Sequence, residues 1–296
     1  PPALSTTALA TRQQWMAGAR PRTLPAAVVP VGVGAGVGGA AGRFSWWATL
    51  LALVVAVGIQ IGTNYANDYS DGIRGTDDKR VGPLRLVAGG IAPPRAVKRA
   101  AVAAFGVAAL AGLALALATS PFLILVGLAC IAAGWFYTGG PRPYGYAGLG
   151  ELFVFVFFGL VAVVGTAYVN VRHWSALALL AGVPVGLLAV ALLVVNNLRD
   201  LRSDGAAGKK TVAVRIGEER TRLLFAGCVV AAFAFVIDII LLRHFAWLAL
   251  VAIVLATNPV RRVLRGESGR GLVSVLGMTG ALQLGFGVLL TIGIVL

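Results

Sequence analysis

Charge is what this chain has least of: 12% of its 296 residues are Asp, Glu, Lys or Arg, against about 25% in an ordinary soluble domain. Acid is scarcer still, with 11 Asp and Glu against 25 Lys and Arg, for a formal charge of +14. There are two cysteines, Cys130 and Cys228, both inside apolar runs. That excludes a disulfide framework and a metal-ligand spacing, and leaves helix packing as their role. The two histidines, His173 and His244, stand alone beside loops. With no partner at metal or catalytic spacing, they read as interfacial side chains. The basic residues gather in no single patch or recognition motif, so nucleic acid is not an expected partner.

What the chain has in excess is apolar residues, at 58%. Nine runs, at approximately 23–42, 45–67, 97–118, 120–138, 149–170, 174–198, 222–242, 245–260 and 272–295, are the stretches that would cross a hydrocarbon core of about 30 Å. Lipid offers the backbone no hydrogen bonds, which restricts spanning segments to helices or a closed barrel, and these runs lack a barrel's alternation. The expected fold is therefore all-α: a polytopic membrane helical bundle of about nine transmembrane helices around a central cavity. It forms one domain over 1–296, with a tail at 1–22 and long loops at about 72–96 and 199–221. Lys and Arg crowd alternate gaps, while the intervening ones hold only Arg43, Arg172 and Arg243. This asymmetry predicts a cytoplasmic N-terminus, cytoplasmic long loops and an outside C-terminus in a multi-pass cell-membrane protein.

The few acids are concentrated. Eight of eleven, Asp68, Asp71, Asp77, Asp78, Asp200, Asp204, Glu218 and Glu219, fall in two clusters and their adjoining loops, leaving Glu151, Asp238 and Glu267. At about 100° per residue, Gln60, Asn64, Asn67, Asp68 and Asp71 share one helix face, and Asn196, Asn197, Asp200 and Asp204 share another. Both stripes end a span on the expected cytoplasmic side. Like charges at membrane depth repel and are costly to insert, so a compensating cation is expected. Carboxylate and amide oxygens suit Mg²⁺, which takes one or two carboxylates together with substrate phosphates and water. Lys79, Arg80 and Arg85 follow the first stripe and Lys209 and Lys210 the second, placed to neutralise phosphate oxygens. The recurrence of stripe and basic loop after spans two and six suggests a four-helix unit used twice plus one extra span. Such a repeat would set the two acid faces across a central cavity. Asp238, deep in the seventh span, either pairs with Arg243 on the same helix or reaches outward with it.

With Asn67, Asp68 and Asp71, then Asp200 and Asp204, the chain resembles the intramembrane aromatic prenyltransferases. Gly75 stands where the first motif's last aspartate would fall, and Asp77 and Asp78 lie just beyond it. Further stretches are similar to the branch that prenylates 1,4-dihydroxy-2-naphthoate in menaquinone synthesis. They are Ala19-Arg-Pro-Arg-Thr-Leu24, Tyr137-Thr-Gly-Gly-Pro141, Pro143-Tyr-Gly-Tyr146, Gly148-Leu-Gly-Glu151, Asn196-Asn-Leu-Arg-Asp200 and Gly208-Lys-Lys-Thr211. The resemblance implies magnesium-dependent transfer of a polyprenyl group from its diphosphate to that acceptor, with loss of carbon dioxide and diphosphate. It implies metal ligands among Asn67, Asp68, Asp71, Asp77, Asp78, Asn196, Asp200 and Asp204. Asn64, Lys79, Arg80, Arg85, Lys209 and Lys210 would meet the diphosphate, and Asp71, Asp200, Lys209 and Lys210 would carry catalysis. Tyr65, Tyr69, Tyr137 and Phe136 are candidates to face an allylic cation, Gln60 and Tyr144 to line the acceptor or prenyl pocket, and Arg20, Arg22 and Arg142 to hold the acceptor's carboxylate. The alternatives are another acceptor, such as 4-hydroxybenzoate or homogentisate, and a cation transporter; the apolar outer halves of spans two and six speak against an ion path.

Overall fold

The computed structural model describes residues 10–76 and 84–296. Asp77, Asp78, Lys79 and Arg80 therefore lie outside the described residues. Among those described, the regular elements are all helices. The long ones are α1 (Pro25–Ala40), α2 (Trp46–Ile73), α3 (Pro94–Ala118), α4 (Phe122–Phe136), α5 (Gly150–Val171), α6 (Ala176–Ala206), α7 (Glu218–Leu242), α8 (His244–Leu264) and α9 (Gly271–Val295).

Seven of these, α2, α3 and α5 to α9, are long and apolar enough to cross a membrane, and α1 makes an eighth only if it counts with the segment Arg12–Thr23, from which it is bent by 53°. The apolar helix α4 has 15 residues, about 22 Å at 1.5 Å per residue, and falls short of a full crossing on its own. Among the described residues, seven or eight helices thus meet that length and composition, beside the nine spans expected, with α4 as a further, shorter apolar helix. The bend before α1 follows from its sequence. Arg20 takes a left-handed conformation, Pro21 opens a single 3₁₀ turn, and Pro25 starts α1 at a position where its missing N–H costs nothing.

Close packing rests on glycine where helices cross. A Cβ on Gly34 of α1 would meet the Val163 carbonyl of α5 at 2.5 Å, and one on Gly159 of α5 would meet the Gly186 Cα of α6 at 2.5 Å. Small residues let helices approach in this way when no hydrophobic driving force separates lipid from protein. At the second crossing α5 widens into a π-helical turn over Phe155–Val161, a rare local winding often found beside functional sites. The most buried spanning helix is α6, capped at its start by the Ser175 hydroxyl, which accepts from the Ala178 amide.

The helices enclose a cavity of about 940 Å³. Its walls are mostly apolar, with Val31 of α1, Ile59 of α2, Leu115 of α3, Val126 of α4, Phe157 of α5, Leu192 of α6 and Val273 of α9 among them. One end is polar: Arg20, Arg22, Gln60, Asn64, Asn67, Asn196, Arg199 and Arg270 line it. On the far side, Arg243 does not pair with Asp238, which is exposed. Its Nε donates to the Ile294 carbonyl at 2.7 Å and Nη2 to that of Val295 at 3.4 Å. The last carbonyls of α9 have no partner within their own helix, and this arginine supplies one.

Candidate active site

The polar stripe of α2 divides between two tasks. Along the cavity, Gln60 Nε2 donates to Thr23 Oγ1 at 2.9 Å, and Asn64 Nδ2 donates to the Ala19 carbonyl at 2.9 Å and to Thr23 Oγ1 at 3.2 Å. These bonds hold the Arg20–Thr23 turn over the cavity end. One turn on, Asn67 Oδ1 accepts from Thr138 Oγ1 at 2.7 Å, and Asp71 Oδ1 accepts from Tyr146 Oη at 2.5 Å. Asp68 points elsewhere: its two oxygens accept the backbone N–H groups of Leu86 (2.8 Å) and Val87 (3.0 Å), and the side chain is buried. Expected among metal ligands, it serves in this structure to pin the loop before α3.

The end of α6 meets that of α2 through a lysine. Lys209 Nζ lies 3.3 Å from Asp71 Oδ2, 3.6 Å from Asp204 Oδ1 and 4.9 Å from the centre of the Tyr146 ring. Arg85 Nη2 adds a contact to Asp71 at 3.5 Å. All four charged side chains are buried or nearly so, where an ion persists only with a partner. Asp200 is held by its neighbour, accepting from Arg199 Nε at 2.8 Å and Nη2 at 2.6 Å. Burial above all, then the charge of Asp71, raises the Tyr146 hydroxyl well above the ordinary phenol range. It therefore stays a proton donor to Asp71.

Other expected site residues fall in different places. Asn196 lines the cavity, whereas Asn197 turns away and donates to Glu151 Oε1 at 3.0 Å. Lys210 is exposed; its backbone N–H, donating to the Tyr146 carbonyl at 2.8 Å, ties the two loops together. Arg20, Arg22, Tyr137 and Tyr144 line the cavity. Tyr65, Tyr69, Phe136 and Arg142 do not. Tyr65 donates to the Trp15 carbonyl at 2.8 Å, Tyr69 packs beneath Lys98 with Nζ 5.6 Å from its ring centre, and Phe136 and Arg142 face outward. Each satisfies its polar end, or its exposed face, away from the cavity.

A row of aromatic rings runs down the cavity wall instead. Tyr137 meets Tyr144 edge-on at 5.5 Å, Tyr144 stacks on Phe153 at 4.0 Å, and Phe153 stacks on Phe157 at 5.9 Å. All four line the cavity. Phe153 and Phe157 escaped sequence reasoning because span five is apolar all round and offers no preferred face. Tyr146 and Arg199 escaped it for another reason: both sit within the motif stretches quoted above, but their partners, Asp71 and the cavity wall, come from the tertiary fold. Thr23 and Thr138 escaped it likewise: both lie in the quoted stretches, but their partners on α2 come from the tertiary fold.

Among the described residues, no three His, Cys, Asp or Glu side chains gather as a ready-made metal cage. The donors at hand are hard oxygens on two helices, Asn67 Oδ1 with Asp71 on α2 and Asp204 on α6, joined by Lys209. That set fits an ion which binds through one or two carboxylates and completes its shell with phosphate and water, as Mg²⁺ does.

A mostly apolar cavity with this charged end is what a reaction between a lipid tail and a polar head requires, and the family follows from the chain as a whole. Residues 27–293 match the UbiA prenyltransferase family. The chain belongs to that family. Within it, a relative named 1,4-dihydroxy-2-naphthoate octaprenyltransferase from Mycobacterium tuberculosis is 50% identical over 276 residues, 93% of this chain and 94% of the relative. The protein of the same name from Escherichia coli is 39% identical over 266 residues, covering 86% and 85% of the two chains. A UbiA homologue from Archaeoglobus fulgidus, solved with GPP and Mg²⁺ bound, shares the fold at a TM-score of 0.64 and 16% identity, with 94% of this chain and 99% of that one aligned.

Proposed function

We infer that this UbiA prenyltransferase moves a polyprenyl group from its diphosphate to 1,4-dihydroxy-2-naphthoate, releasing diphosphate and carbon dioxide and giving demethylmenaquinol. The observation that carries the chemistry is the meeting of Asp71 and Asp204 on Lys209, one helical turn beyond Asn67, which lines the polar end of a cavity whose walls are apolar and aromatic. The 50% identity to the mycobacterial naphthoate enzyme supports the acceptor.

Asn67, Asp71, Asp200 and Asp204 are the residues proposed to hold Mg²⁺, with Asp77 or Asp78 joining from the loop. Bound there, magnesium would draw charge from the diphosphate and make it a better leaving group. Lys209 and Arg85 are placed to stabilise the departing oxygens as their charge develops. The rings of Tyr137, Tyr144, Phe153 and Phe157 offer π faces to an allylic cation and keep water from it. The cavity can take the prenyl tail, each buried CH₂ contributing about 0.8 kcal/mol. In the proposed step the ring carbon bearing the carboxylate forms the new C–C bond. The electron pair of its bond to the carboxylate then returns to the ring as CO₂ departs, which restores aromaticity without loss of a ring proton. The excess of Lys and Arg in alternate gaps supports a cytoplasmic polar end.

The test is one radiolabelled polyprenyl diphosphate offered to purified protein with 1,4-dihydroxy-2-naphthoate, 4-hydroxybenzoate or homogentisate, with the naphthoate carboxyl carbon labelled separately. A prenylated lipid with the naphthoate alone, and CO₂ released in equal amount, is the expected result. A product with 4-hydroxybenzoate in preference would overturn the acceptor, and no lipid product from any acceptor would overturn the reaction.

A further inference from the structure

Four arginines, Arg20, Arg22, Arg199 and Arg270, line the polar end of the cavity, and among the described residues no Asp or Glu lines it. Arg199 is the best-fixed of them. Its side chain is 1% exposed, and Asp200 takes Nε and Nη2 together. That leaves Nη1, sealed from water and without an acceptor. A guanidinium keeps its proton at any working pH and presents five N–H donors, so a buried Nη1 with nothing to donate to is unfavourable until an anion arrives. Asn196, three residues earlier on α6, shares the face of Arg199 and lines the same wall.

Resting on the reading that this cavity takes an aromatic acid, we propose that Arg199 Nη1 binds the carboxylate of the acceptor, with Asn196 as a second donor, and so selects ring acceptors that carry one. Arginine receives phosphate as readily as carboxylate, so the position of each anion matters. Of the groups proposed for the metal diphosphate, Asp71, Asp204, Lys209 and Arg85 are absent from the cavity wall, while Asn67 lines it from α2 and Asp200 adjoins Arg199. Asp204 lies five residues beyond Arg199 on α6, roughly 7.5 Å further along the helix. Arg199 instead stands at the edge of a mainly apolar chamber, where a single carboxylate on a flat ring fits and a polyanion would have to leave its own cations. Asp200 can serve both neighbours, since a carboxylate offers about four lone-pair sites and the guanidinium fork uses two. In that role Arg199 orients the ring and Asp200 orients Arg199.

The test compares wild-type protein with Arg199→Gln. One arm measures binding of 1-hydroxy-2-naphthoate and of 1-naphthol, which differ by the carboxylate; the other measures KM for the naphthoate acceptor and for the prenyl diphosphate. The wild type should bind the acid at least tenfold more tightly than the naphthol. In the variant that preference should collapse and the acceptor KM rise at least tenfold, with the donor KM within threefold. A preference that survives in Arg199→Gln overturns the proposal, as does a rise confined to the donor KM, which would give Nη1 to the diphosphate. If Arg199→Gln does not fold, Arg199→Lys decides. Lysine keeps the charge but not the fork, so the preference should fall at least threefold; an undiminished preference overturns the assignment. The binding arm needs no turnover, so absence of any prenylated lipid from wild-type protein would sink the underlying reading without deciding this one.

Discussion

Asp71 is the residue on which the site converges, with Tyr146, Lys209 and Arg85 all directed at it. Asp71→Ala is expected to abolish magnesium-dependent release of pyrophosphate while leaving a cooperative melt, and near-normal turnover would remove Asp71 from the metal site. Tyr146→Phe deletes one hydrogen bond to a charged group, worth about 1.5–3 kcal/mol. If that bond positions Asp71 in the transition state, kcat should fall at least tenfold while the donor KM holds, and an unchanged kcat would make Tyr146 a packing residue only. Tyr146 also has a pH signature. Its raised pKa in the folded protein means that the unfolded chain releases this proton first, so its contribution to stability is whole below about pH 10 and is lost as pH rises beyond that. Melting temperature followed from pH 8 to 11 should fall less in Tyr146→Phe than in the wild type. Of these three contacts, Arg85 and Lys209 were legible as basic residues near a carboxylate stripe. The phenol was not, because nothing in a sequence says that the loop at 144–147 folds back onto the end of α2. Arg74 ties the preceding turn to the same helix end, its guanidinium donating to the carbonyls of Thr138 and Gly140 and lying 5.6 Å from the centre of the Tyr146 ring.

At the scale of the element, the spans were readable because lipid imposes a simple demand, an apolar run long enough to cross with its hydrogen bonds satisfied internally. Where an element departs from that demand, the sequence says less. The run read as a crossing at 120–138 forms the fifteen-residue α4, shorter than the run itself. The π turn of α5 carries no composition signal, yet it lies where Gly159 meets Gly186. Gly159→Ala puts a methyl group 2.5 Å from the Gly186 backbone, and an overpacked crossing of this kind costs about 1–3 kcal/mol. A lower melting temperature is expected, whereas Gly165→Ala, with nothing within 4 Å of its Cβ, should melt as wild type. Asp68 illustrates the same limit. Angular spacing put it beside Asp71, but its carboxylate caps the amides of Leu86 and Val87, and Asp68→Ala should speed proteolytic cleavage within 84–92.

For the whole molecule, the controlling feature is a cavity that runs from four arginines at one end to apolar walls of α1, α3, α4 and α5 at the other. A bulky side chain far from the charged end should therefore act as a stop for the prenyl tail. Gly165→Phe, on the wall and facing open space, is expected to reduce turnover with a forty-carbon donor several-fold more than with a ten-carbon one; equal losses would place the tail elsewhere. Composition and the long apolar runs determined that this chain is a helical membrane protein, because so apolar a chain has no stable exposure to water and runs without alternation satisfy their backbone in lipid as helices. Residue spacing determined that two acidic stripes end two of its helices, because a helix brings residues three and four apart onto one face. Which of those side chains face each other was decided by the tertiary structure alone. Lys209 between Asp71 and Asp204, Arg199 on the cavity wall and the aromatic row from Tyr137 to Phe157 all depend on how separate helices cross. A one-dimensional pattern specifies the face of a helix, while the partner of that face is set by packing across the bundle.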